Sequence, residues 1–202
     1  MRRLPENPDP PGARAGAAER HAEVYATPML PAFEHWKVAA RIRAGRNPLT
    51  EIDVVELAAL GVTHVLDLRE PSEWSGPGVF GEEALAALAA RGIARTNLPI
   101  PDLTAPTPEH FAQTAAWLDE VLGKRRTRLF AHCRAGRQRT ATILTAWRAW
   151  NENEPFEAAL RTLRMHGWPA DPLPWQRSAA ERWLDARRKG RLPPQPPFST
   201  PP

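Results

Sequence analysis

His132-Cys133-Arg134-Ala135-Gly136-Arg137-Gln138-Arg139-Thr140 holds the only cysteine of this 202-residue chain. The apolar run Leu129-Phe130-Ala131 leads into it, and a long helical pattern leads out. That is the layout of a strand, a loop and a helix N-terminus, where backbone N–H groups and the helix dipole both favour a bound anion. Gly136 in mid-loop allows the positive φ that such a curl of chain needs. Arg139 stands at the helix start, from where its guanidinium can return over the loop. A planar fork contacts two oxygens of a phosphoryl group at once, which suits arginine better than lysine. The same N–H groups, dipole and guanidinium groups favour the Cys133 thiolate, which is the attacking form of the side chain. A buried cysteine is commonly an inert small hydrophobe, so it is the strand, the glycine and the helix around Cys133 that point to catalysis.

Outward from this loop, helices alternate with short strands, which predicts an α/β domain: a central mixed sheet of about four to five strands flanked by helices. Residues 36–43 read as one strand, closed by the turn-forming residues 44–48. Thr50 is placed as an N-cap with Asp53 in the first turn. The helix that follows carries Ile52, Val55, Leu57 and Leu60 on its apolar side and stops at Gly61. Residues 62–68 form a short β-branched, apolar strand, and residues 70–81 a loop containing Trp74 and Phe80. Residues 82–91 predict a helix, 93–98 a strand, and the prolines of 99–108 exclude regular structure there. Residues 109–122 predict an amphipathic helix with Phe111, Ala115, Leu118 and Leu122 on one face. Residues 128–132 form the strand that enters the cysteine loop. Helices follow over 139–150, 155–165 and 174–189, the last carrying Trp175, Ala179, Trp183 and Leu184.

The apolar fraction of 42% is sufficient for one core, and the formal charge of +4 gives no reason to expect nucleic-acid binding. The 23 prolines are concentrated towards the two ends. Residues 1–31 and 191–202 therefore read as Pro-rich tails around a domain at 32–190. A single cysteine excludes an internal disulfide, and no Cys/His cluster suggests a structural zinc. A lone thiol fits a reducing compartment. No apolar run approaches a membrane span, and Arg2 and Arg3 have no apolar stretch behind them, so the cytoplasm is the expected location.

His132-Cys133-x5-Arg139-Thr140 resembles the signature loop of the protein tyrosine phosphatase superfamily, and its surroundings resemble the small atypical members of the dual-specificity branch. Gly61-Val62-Thr63-His64-Val65-Leu66-Asp67-Leu68-Arg69 is similar to that branch's helix-to-strand segment. Leu98-Pro99-Ile100-Pro101-Asp102 is similar to its general-acid loop. The three occur in order, over residues 36–166. The resemblance implies that Cys133 attacks phosphorus and forms a cysteinyl-phosphate. It implies that Arg139 and the loop amides, including those of Arg134, Ala135, Gly136, Arg137 and Gln138, bind the phosphoryl oxygens. Asp102 would protonate the leaving oxygen and then activate water, and Thr140 would help the thiolate depart. His132 would support the loop from behind, through its backbone groups rather than as a base. No metal or other cofactor is implied. The implied partner is a phosphorylated protein, or alternatively a phospholipid headgroup, with neither nucleic acid nor an integral membrane segment.

The chain departs from the commoner pattern at Gln138 and Ala141, where many members have glycine. Ala141 is benign in a first helical turn, whereas Gln138 narrows the loop mouth or contacts substrate. Arg134 and Arg137 add two charges whose spacing resembles the basic positions of tensin-like phosphoinositide phosphatases and mitochondrial phosphatidylglycerophosphate phosphatases. Such charges suit a second phosphate or an anionic membrane surface. Two competing readings are a non-catalytic phosphate-binding module and a thiolate-loop sulfurtransferase or arsenate reductase. Asp102 argues against both, and a disulfide-cycling reductase also lacks its second cysteine.

Overall fold

The computed structural model describes residues 32–74 and 81–192. The tails read at 1–31 and, but for its first two residues, at 191–202 lie outside these, as does Phe80. Five short strands form one sheet: β1 (His35–Ala39), β2 (Ile42–Gly45), β3 (His64–Asp67), β4 (Ala94–Asn97) and β5 (Leu129–His132). Their order is β1-β2-β5-β3-β4, with β1 antiparallel to β2 and the remaining pairs parallel. Sequence-continuous apolar strands such as Leu129-Phe130-Ala131 belong in the middle of a parallel sheet because both faces are covered.

Alternation along the strands assigns the two layers. Val65 and Phe130 pack with Val54 and Leu57 of α1 (Glu51–Ala59) and with Ala84 and Leu88 of α2 (Glu82–Ala90). Leu66, Leu129 and Ala131 turn the other way. They pack in the core shared by α3 (Pro108–Gly123), α4 (Arg139–Asn151), α5 (Phe156–Arg164) and α6 (Pro174–Arg188). Thr50 and Asp53 form the predicted cap, each side chain accepting the other's backbone N–H.

Three local readings are corrected. Residues 36–43 are not one strand but most of a hairpin: the chain reverses at Ala40-Arg41, and Ala39 pairs with Ile42. No Gly, Asn or Asp marks that turn, and the ladder absorbs it with a register shift between Lys37 and Ala39. On α1, Ile52 is 77% exposed and Val55 is exposed too, while Val54 and Leu57 are buried. Ile52 lies roughly 200° around the helix from Val54, so only one of the two can face the sheet. On α6, Trp175 is half exposed, and the buried position next to it belongs to Gln176.

The register aligns the carboxyl ends of the four parallel strands in a single row. Gly45 pairs with His132, His132 with Asp67, and Asp67 with Asn97. The chain segments leaving that row build the site, as expected at the carboxyl edge of parallel strands.

Candidate active site

Cys133 is buried and follows β5 directly. The loop after it is fixed from outside through its carbonyls. Asn47 N–H donates to Arg134 O (3.1 Å), Trp168 Nε1–H to Gly136 O (3.1 Å), Asp171 N–H to Arg137 O (2.7 Å) and Thr142 N–H to Gln138 O (2.8 Å). Among the described residues, no backbone N–H of residues 134–138 donates to a protein acceptor. Outward carbonyls and unpaired N–H groups make an anion cradle. Gly136 makes the curl possible with φ of 70°, and its Cα passes so close to β2 that a Cβ would lie 2.0 Å from Gly45 O.

Behind the loop lies a buried charge network. His132 is buried, and its Nδ1–H donates to Cys133 O at 3.1 Å, with Asp67 Oδ1 at 3.6 Å. Burial, outweighing the attraction of Asp67, pulls the imidazole down to about 4, so it is neutral at physiological pH. Asp67 accepts from Arg69 Nε (3.0 Å) and Nη2 (2.8 Å), and from Arg95 Nη2 (2.9 Å). Burial raises the Asp67 carboxyl, but His132, Arg69 and Arg95 together hold it well below the usual carboxylate range. Asn47, with its amide oriented to satisfy both neighbours, donates to Arg134 O at 2.8 Å and accepts from Arg69 Nη1 at 3.0 Å. The network thereby reaches the loop a second time.

Arg139, at the start of α4, is almost completely buried. Its Nη1 and Nη2 donate to Glu73 Oε2 (2.6 Å) and Oε1 (2.7 Å), a bidentate pair, and Nη1 also donates to Ile100 O (2.9 Å). Burial lowers the guanidinium's proton affinity, but Glu73, Cys133 and Asp102 more than reverse this, so it stays charged. Its Nε is buried without a partner among the described residues, a donor left over for an incoming oxyanion. Glu73 sits on a single 3₁₀ turn, Pro71–Glu73, just after β3. Burial raises its carboxyl, but the bonds from Arg139 and from the Glu70 backbone outweigh that and lower it.

Asp102 Oδ1 lies 3.0 Å from Arg139 Nη2, so the loops after β4 and β5 meet at the same guanidinium. Leu103 N–H donates to that Oδ1 at 3.0 Å, and Leu103 itself has φ of 58°. A left-handed leucine stores about 1–3 kcal/mol of strain and persists only where its surroundings hold it. Trp175 Nε1–H on Leu103 O (2.9 Å) and Gln176 Nε2–H on Thr104 O (2.9 Å) do so here.

The site residues read from the sequence thus run from the end of β5 through the cysteine loop into the first turn of α4, with Asp102 on the neighbouring loop, and their surroundings differ. Arg134 and Ala135 are exposed, and the Arg134 guanidinium has no acceptor among the described residues. Arg137, 48% exposed, reaches Glu34 at 3.3 Å. Gln138 is partly buried. The hydroxyl of Thr140 is buried with no hydrogen-bond partner among the described residues, so it is not bonded to Cys133. Sequence reasoning missed Glu73, Asn47, Trp168 and Gln176. Only Glu73 carried a usable signal, as a carboxylate in the first turn beyond a strand's carboxyl end.

A family model described as "Swiss Army Knife protein, DSP-PTPase phosphatase domain" matches residues 31–158. The chain belongs to this DSP-PTPase domain family. Dual specificity protein phosphatase 13B of Mus musculus is 29% identical over 114 residues, 56% of this chain and 55% of the mouse protein. The match thus spans about half the length of that relative. The fold is shared with Tk-PTP in its active form (24% identity, TM-score 0.63) and with PTPMT1 crystallised in complex with PI(5)P (18%, TM-score 0.64). Each comparison covers 78% of this chain and 99% of the other.

Proposed function

We propose that this protein is a phosphomonoester hydrolase of protein-tyrosine/dual-specificity type. The observation that carries the reading is the convergence on Arg139: a cradle of N–H groups unpaired among the described residues follows Cys133, and Asp102 Oδ1 stands 3.0 Å from the guanidinium. In the first step the Cys133 thiolate attacks phosphorus as the ester P–O bond breaks. Asp102 passes its proton to the leaving oxygen, which departs as the alcohol or phenol. In the second step Asp102 takes a proton from water as the water oxygen attacks phosphorus. The S–P bond then breaks, the thiolate returns and inorganic phosphate leaves. Arg139, through Nε, and the N–H groups of residues 134–138 hold the charge that develops on the phosphoryl oxygens. A free thiol as nucleophile suits a reducing compartment, so the cytoplasm is the proposed location. Among the described residues no helix is long and apolar enough to cross a membrane.

A phosphoprotein is the leading substrate class. A phospholipid headgroup is a second reading, favoured by Arg134, whose guanidinium has no acceptor among the described residues, and by the half-exposed Arg137. The complex of PTPMT1 with PI(5)P shows that lipid on a similar fold. A hydrolysis panel of phosphotyrosine and phosphoserine peptides, phosphoinositides and phosphatidylglycerophosphate tests both. We expect phosphotyrosine to be turned over, with little change in an Arg134→Ala/Arg137→Ala variant. Preference for the lipids, lost in that double variant, would reverse the ranking, and no hydrolysis of any substrate would leave only a phosphate-binding module.

A further inference from the structure

The connection from α5 to α6 runs beside the cysteine loop, and the first turn of α6 that follows it meets the loop carrying Asp102. Trp168 and Asp171 bond Gly136 O and Arg137 O at one end, and Trp175 and Gln176 bond Leu103 O and Thr104 O at the other. Gln176 is the only side chain of the four that is both fully buried, at 0% exposure, and polar at its end on both sides. Its Oε1 accepts from Leu173 N–H at 3.1 Å and lies 3.3 Å from the Thr142 hydroxyl. That hydroxyl, with the Thr142 N–H, sits within 2.9 Å of Gln138 O at the end of the cysteine loop. Its Nε2–H donates to Thr104 O at 2.9 Å. A continuous path of hydrogen-bonding groups therefore joins Gln138, Thr142, Gln176 and Thr104, two residues from Asp102.

We infer that Gln176 is a positioning residue for the general acid: it fixes Asp102 against the phosphoryl-binding loop by holding Thr104. The inference rests on the assignment of Asp102 as the acid. The strain at Leu103 is what gives the bond leverage. Without a donor on Thr104 O, the left-handed turn has one fewer hold, and Asp102 can leave Arg139. Residue 176 also lies beyond the stretch that the family model matches, so the role is read from this chain's own contacts. An acid out of place costs most where the leaving group most needs its proton.

The test compares kcat/KM on phenyl phosphate, whose leaving phenolate is strongly basic, with kcat/KM on 4-nitrophenyl phosphate, whose phenolate is not, because kcat/KM reports the step in which the leaving group departs and not the hydrolysis of the common intermediate. In Gln176→Met we expect the loss on phenyl phosphate to exceed the loss on 4-nitrophenyl phosphate by roughly tenfold or more, in line with the cost of a misplaced group. Equal losses on both substrates, whatever the change in melting temperature, would mean a merely structural role and overturn the inference. Should Gln176→Met fail to fold, Gln176→Asn keeps a buried neutral amide but is one methylene too short to hold both Leu173 and Thr104, and is read by the same ratio. Asp102→Asn is the control. A ratio unchanged in Asp102→Asn overturns Asp102 as the acid and Gln176 with it. A ratio changed there but not in the Gln176 variant overturns Gln176 alone.

Discussion

A methyl group on Gly136 would meet the Gly45 carbonyl at 2.0 Å, and the residue's φ of 70° disfavours any side chain. Neither neighbour can give way, since Gly45 is itself packed so tightly that its own Cβ would lie 2.5 Å from Glu34 O. Gly136→Ala must therefore push the loop away from β2. A displacement of about 1 Å costs on the order of a hundredfold in rate, and we expect kcat/KM to fall by at least that much with a lower melting temperature. Activity within a few-fold of the parent would mean that the loop is not locked against Gly45. Glycine, cysteine and arginine on this loop were legible in the sequence because their spacing is local. Most of the side chains that support the site were not, because Asn47, Glu73 and Gln176 come from segments far away in the chain.

At the level of elements, the 3₁₀ turn Pro71–Glu73 supplies the carboxylate that neutralises and orients Arg139. With Glu73 neutralised, Arg139 keeps Asp102 as a charged partner, so the cost is smaller than the roughly 3–5 kcal/mol of stripping a buried charge of its partner altogether. Glu73→Gln should therefore lower stability and reduce kcat/KM. Inorganic phosphate bound at the loop would replace part of the lost charge, so added phosphate should raise the variant's melting temperature more than the parent's. An equal rise in both proteins would place the Arg139 charge elsewhere. The helices and strands themselves were mostly legible, because apolar periodicity and caps are local signals. The errors share a cause: the side of α1, the hairpin at Ala40-Arg41 and the exchange of Trp175 for Gln176 are set by tertiary packing. In each case hydrophobicity alone pointed to the wrong neighbour, as where Trp175 turns its indole N–H to Leu103 and leaves Gln176 inside.

For the whole molecule, the row of strand ends ties catalytic geometry to global stability, since His132 is both behind the loop and inside the sheet. Its proton affinity is lower folded than unfolded, falling from 6.5 to about 4 through burial. The unfolded chain therefore binds a proton more readily. The contribution is complete above about pH 6.5 and is lost as pH falls towards 4, amounting to about 3 kcal/mol over that window. His64 and His110, lowered chiefly by burial, act in the same direction. Thermal unfolding followed from pH 7 to 4.5 should show a falling midpoint, with a shallower fall in His132→Asn. An identical slope in the two proteins would mean that His132 does not remain neutral in the fold.

If Cys133 carries the phosphoryl group between the two steps, the intermediate can be trapped on it. Protein turning over 4-nitrophenyl phosphate is quenched rapidly in acid, digested and examined by mass spectrometry. We expect a phosphoryl group on the peptide containing Cys133, and neither adduct nor turnover in Cys133→Ser. A phosphoryl group on another residue, or full turnover by Cys133→Ser, would contradict the assignment.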